Sequence, residues 1–179
     1  WKAPATSPLP HGWSTPRTWS VNEVLTAANM NTYVSDDLSW MGISRPHGRV
    51  ADGSFSHNSS GNWLTPSWDS ISTNVGTGFA TSTGYFTAPN TGFYLLGADA
   101  TFASNANGAR AIMLSSGSAG TGTVYAQNFS PSQSLAIASA VTTGVQLAAN
   151  ARVYVSLFQG SGGTLTVTDI HMWAVWETV

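Results

Sequence analysis

A chain of 179 residues has room for one full-sized core with an appended segment rather than for two independent domains. Charged residues make up 8% of it, against roughly 25% in an average soluble domain, and with a net charge of -2 and six Lys and Arg standing singly it offers no footprint for a phosphate backbone, which argues against nucleic-acid binding. Cysteine is absent, removing disulfides, thiolate metal sites and thiol nucleophiles together, and no apolar run reaches the ~18 residues of a membrane span, so membrane insertion is not expected.

Residues 1–19 carry Pro4, Pro8, Pro10 and Pro16 among small polar residues, and proline blocks helix and interior strand alike. They predict an extended arm that becomes ordered by lying on another protein, with Trp1, Trp13 and Trp19 as anchors. In residues 20–42 the signal turns helical, because Met30, Val34, Leu38 and Met41 recur at helical spacing. Two starts compete: Ser20 with Glu23 has the form of a capping box, and Thr26 before Ala27 and Ala28 can cap the longer stretch directly. A short turn followed by a helix from about Ala27 reconciles them, and Gly42 is placed to end it. Residues 43–65 read as a linker loop with one short strand near Val50, given Pro46, Gly48, Gly53 and Gly61.

From residue 66 to 179 strand patterns dominate. Candidate strands cover 68–74, 79–83, 85–87, 92–103, 109–115, 123–129, 135–143, 152–159 and 165–176, separated by Gly, Asn and Ser clusters, and this regular spacing predicts an all-β sandwich. In residues 152–159, Val153, Val155 and Leu157 point to one face while Tyr154, Ser156 and Phe158 point to the other. The first face is aliphatic core. The second is aromatic, which calls for a cover, and since no helix remains to supply it a partner subunit is the simplest one.

Candidate chemistry is sparse. His47, Asp52 and His57 share a stretch but match no metal-ligand spacing, so no metal and no cofactor are expected. Asp169 and His171, two apart on one strand, form a candidate structural pair with Trp173 on the same face. Glycan cleavage ordinarily needs two carboxylates across a cleft, and none of Glu23, Asp36, Asp37, Asp52, Asp69, Asp99, Asp169 and Glu177 is paired by a motif. No Gly-x-Ser-x-Gly elbow lies between a strand and a helix, and the Gly-rich stretches lack the Lys and helix of a phosphate loop. The chain reads as a non-enzyme. Trp63 and Trp68, flanking Pro66, are candidates for contact with a glycan or with a neighbouring protein.

Two segments resemble known families. Pro16-Arg17-Thr18-Trp19, then residues 22–32 with Glu23-Val24-Leu25-Thr26-Ala27, then Val34, Leu38 and Trp40-Met41, resemble a segment near the start of many tailed-phage structural proteins. That resemblance implies a bacteriophage origin and an attachment role for Trp13, Trp19, Val24, Leu25, Met30, Val34, Leu38 and Met41. The second covers roughly 66–178 and rests on Asn74, Phe79, residues 83–89 (Thr-Gly-Tyr-Phe-Thr-Ala-Pro), Gly92-Phe93-Tyr94, Arg110, Leu114, Val145-Gln146-Leu147, Val153-Tyr154-Val155 and Trp173-Ala174-Val175-Trp176. It is similar to the jelly roll shared by the complement first-component head and tumour necrosis factor. This likeness implies a ten-stranded, two-sheet jelly-roll sandwich that packs three subunits around an apolar and aromatic axis. The candidate trimer residues are Tyr154 and Phe158, with Tyr94, Phe102, Trp173 and Trp176. No acidic cluster matches the calcium sites of some relatives. Together these readings predict a homotrimer on the virion surface, either a capsid decoration or head fibre or a small tail appendage, joined to other virion proteins through its N-terminal segment. A host receptor- or glycan-binding adhesin at the tail tip is the alternative.

Overall fold

The computed structural model describes residues 20–24, 26–31, 34, 45–58 and 60–178, which fall into two compact units, Trp1–Arg45 and Pro46–Val179. In the first, the Glu23 N–H donates to the Ser20 carbonyl and its carboxylate accepts from the Ser20 N–H, each at 3.1 Å, closing a turn. Thr26 Oγ1 then accepts from the Asn29 N–H (3.2 Å) and caps α1 (Ala27–Met30). Both competing starts are used, one for a turn and one for the helix. Val24 and Met30 are exposed, at 77% and 42%, and Val34 is half-buried. Trp13, Trp19, Leu25, Leu38 and Met41 lie outside the described residues.

The second unit is an antiparallel sandwich of ten strands: β1 (His47–His57), β2 (Trp63–Leu64), β3 (Ser70–Val75), β4 (Tyr85–Thr87), β5 (Gly92–Phe102), β6 (Arg110–Ser115), β7 (Val124–Ser130), β8 (Ile137–Leu147), β9 (Arg152–Gln159) and β10 (Leu165–Thr178). The first sheet runs β3-β1-β10-β5-β8 and the second β2-β9-β6-β7, with β4 sharing an edge of β9 with β2. Period-two alternation sends Val50, Tyr94, Leu96, Phe102, Val141, Val167, Ile170, Met172 and Trp176 of the first sheet inward against Phe86, Ile112, Leu114, Val153, Val155 and Leu157 of the second. Each large apolar side chain so buried contributes ~1.5–3 kcal/mol.

Three stretches differ from the sequence reading, the shortest being Trp63–Leu64, which falls in the expected linker loop and is β2. Residues 47–57, expected to be linker apart from a short strand near Val50, are an eleven-residue strand paired to β3 on one side and β10 on the other. Its pattern is hidden for a physical reason. Gly48, Val50 and Asp52 are buried before Gly53, whereas afterwards the more covered positions are Phe55 and His57, so the alternation changes phase within the strand. The facing residue Asp169 on β10 has φ 51° and marks the same irregularity. Residues 79–83 are not a strand. Only Phe79 bridges, to Phe86, and the Thr83 N–H returns to the Ala80 carbonyl in a turn.

Candidate functional site

The outward face of the first sheet is apolar at its centre. On β10, Trp173 and Val175 face outward and lie opposite Gly97 and Leu95 of β5, while Leu95 and Phe93 lie opposite Gly144 and Gln146 of β8. The two glycines explain how large rings lie flat here: a Cβ at Gly97 would overlap the Trp173 indole, and one at Gly144 would overlap the Phe93 ring. Phe93 is 38% exposed, and Leu95, Trp173 and Val175 are half-buried, with no element of the sandwich laid across them. Polar groups flank this centre. Arg49 lies opposite Trp173, and one step along the strands the His171 imidazole Nδ1 meets Asp99 Oδ2 at 2.8 Å. The expected Asp169–His171 pair is therefore replaced by Asp99–His171, because Asp169 sits at the irregularity in β10 while Asp99 is directly across the ladder from His171.

The outward face of the second sheet carries Tyr154 and Phe158 as period-two geometry requires. Part of the cover for this face comes from the chain itself. The 116–123 loop, with its 3-10 turn at Ser118–Gly120, folds onto the sheet: the Gly120 N–H donates to Ser156 Oγ (3.1 Å) and the Ala119 N–H to Thr65 Oγ1 (2.9 Å), leaving Ser156 fully buried. Beside it Trp63, Phe129 and Phe158 form a cluster of tilted and edge-on rings 5.4–6.3 Å apart. At the other end of β9, Tyr154 meets Tyr85 of β4 at 4.9 Å between centroids, and the Arg152 guanidinium lies 4.7 Å from the Tyr85 ring centre.

Of the six aromatic residues expected at a trimer face, Trp173, Tyr154 and Phe158 point outward, the first on one sheet and the other two on the opposite one. Tyr94 and Phe102 have no exposed surface and Trp176 is 4% exposed, so these three belong to the core of one subunit and have almost no area to offer a partner. Their parity on β5 and β10 decides this, since Tyr94 pairs with Trp176 on the inward side. The Tyr94 hydroxyl donates to the Asn90 carbonyl (2.8 Å), and burial pushes its pKa up. Trp68 is also in the interior, 2% exposed with its indole N–H unpartnered, and is inaccessible to a glycan, whereas Trp63 remains half-exposed in the ring cluster.

Among the described residues no three His, Cys, Asp or Glu side chains are grouped to hold a metal. His47, Asp52 and His57 are strung along β1: Asp52 and His57 face the interior and His47 does not. Asp52 accepts from the Ser54 N–H (3.0 Å); burial and the neighbouring Asp69 push its pKa up against that hydrogen bond. Residues that sequence reasoning missed are Phe93, Leu95 and Val175 on the first sheet and Tyr85, Phe129 and Arg152 on the second. The alternation of Phe93 and Leu95 against Tyr94 and Leu96 was the available signal, but both parities of that stretch are apolar and only pairing to β8 and β10 separates them.

Residues 52–171 match the C1q domain family. The chain belongs to that family. Sequence comparison with curated proteins finds no significant match. Among solved structures, this C1q domain is similar to the globular domain of zebrafish complement 1qA (15% identity, TM-score 0.52, covering 74% of this chain and 97% of that one). It is similar to murine APRIL at pH 5.0 (12% identity, TM-score 0.58, covering 74% and 99%) and to the PRD1 vertex protein P5 (16% identity, TM-score 0.53, covering 75% and 99%). At these identities the likeness is one of fold, the two-sheet jelly roll.

Proposed function

We propose that this C1q-family sandwich is a non-enzymatic structural subunit on the outside of a bacteriophage particle, where three copies associate through the first sheet and the N-terminal segment attaches them to other virion proteins. The observation that carries the trimer is the outward face of β10 and β5: Phe93, Leu95, Trp173 and Val175 form a continuous apolar surface on long strands, and no strand of the sandwich lies across it. Trimer packing of C1q-type domains, implied by the family resemblance, supplies the partner number. A surface with few charges also suits such a role, because little repulsion separates identical copies.

The phage assignment rests on the segment at 16–41 and is supported by the occurrence of the same fold in the PRD1 vertex protein. Capsid decoration, head fibre and small tail appendage all fit this arrangement. Purified particles labelled with gold-conjugated antibody against the sandwich and viewed by electron microscopy should carry label on the intact exterior. Particles that stay unlabelled until they are broken would refute the surface assignment. A second reading, a host receptor- or glycan-binding adhesin at the tail tip, is favoured by one specific feature, the accessible rings and arginine on the second sheet.

A further inference from the structure

The ends of β9 and β4 present a small constellation unlike the rest of the surface. Arg152 and Tyr154 lie on the same outward face of β9, and Tyr85 stands directly across from Tyr154 on β4, with Thr87 across from Arg152. The guanidinium lies over the Tyr85 ring, 4.7 Å from its centroid, an arrangement in which the ring's negative face attracts the cation. That contact uses one face of the guanidinium and leaves its N–H donors open to solvent, since Arg152 is exposed.

Among the described residues no acid is paired with this charge. Between residues 70 and 168 the sequence contains one acid, Asp99, and that is on the first sheet paired with His171. The other acids of the sandwich, Asp52, Asp69, Asp169 and Glu177, lie on or beside strands of the first sheet, and no strand of the second contains Asp or Glu. The second sheet's only other cation, Arg110, is fully buried and bonded to backbone carbonyls, so Arg152 gives this face a solitary positive charge, set over the Tyr85 ring.

We infer that Arg152, Tyr85 and Tyr154 form a binding site for one acidic sugar residue, the guanidinium taking the carboxylate and the tyrosine rings the apolar face of the sugar, with the Thr87 hydroxyl beside them. A phosphate polymer would need several cations in a row, and there is one. A bare anion would gain only a solvent-exposed ion pair, which is weak, whereas a ligand that also stacks on the rings adds contact that an inorganic ion cannot make. The inference rests on the adhesin reading of the second sheet and is independent of the number of subunits.

The test uses the full chain on an array of uronic- and sialic-acid oligosaccharides beside their neutral counterparts, with inorganic phosphate as competitor, and in parallel its binding to host cells. Acidic members should be retained and neutral ones not. Arg152→Gln should lower retention at least tenfold and Tyr85→Ala severalfold, with the melting temperature and oligomer mass of R152Q unchanged. Retention that R152Q does not alter, absence of any acidic ligand, or competition by phosphate as strong as by the sugar would overturn the site. So would a change of oligomer mass in R152Q, which would assign Arg152 to a contact between copies. Cell binding without saccharide retention would sink this site and leave the adhesin reading standing; saccharide retention without cell binding would do the reverse.

Discussion

His57 is a buried histidine with no acid beside it among the described residues. Its Nε2–H donates to the Leu157 carbonyl at 2.9 Å while Nδ1 is buried without a partner, and burial pushes its pKa below the usual 6.5. The folded protein therefore holds it neutral, and the unfolded chain takes up a proton first as pH falls. Stability should decline as pH drops from about 6.5 toward the depressed folded value. Asp52 has the opposite sign: its raised pKa contributes stability below 3.8 that is lost as pH rises through the folded value, so the two groups must be separated by mutation. The melting temperature of the parent should fall between pH 7.5 and 5.5 by more than that of His57→Gln, which cannot titrate. Arg110 is buried as well, its Nη1 and Nη2 donating to the carbonyls of Asn105, Asn107, Gly108 and Ala109 at 2.7–3.1 Å. Neither role was legible in sequence, because a lone His or Arg in a strand looks the same whether it faces solvent or core.

At the scale of the element, β5 and β10 show how a strand serves two surfaces. Inward positions on β5 include the large Tyr94, Leu96 and Phe102, while outward Gly97 is small so that the neighbouring indole can lie across it. Valine suits a strand better than glycine by intrinsic preference, yet Gly97→Val should displace Trp173. The expected cost is about 1–3 kcal/mol in urea denaturation together with loss of association at micromolar concentration, read by sedimentation velocity. Strands with steady alternation, such as 152–159, and strands with long apolar runs, such as 92–103, were readable in the sequence with boundaries close to those observed. β1 was not, since its two glycines and its change of phase remove the period-two signal. Likewise the direction in which Trp173 and Trp176 point follows from ladder register, which connects residues more than seventy positions apart and leaves no local mark.

The whole molecule divides its surface by sheet. The first sheet carries the acids at its margins and an apolar centre; the second carries rings, neutral polar loops and Arg152. Copies joined through the first sheet would leave the second facing outward, which is where a particle component meets its surroundings. Sequence reasoning arrived at one aromatic face, that of Tyr154 and Phe158, and had no means of seeing the 116–123 loop fold onto Thr65 and Ser156 of the same sheet. The central claim is that the first-sheet face is buried between three copies. Its most direct measurement is the mass of the purified full chain by light scattering at micromolar concentration, beside Trp173→Glu. Three chain masses for the parent and one for a W173E variant that keeps its β-sheet circular dichroism are predicted. A parent that runs as a single chain, or a W173E variant that is folded and still trimeric, would contradict it.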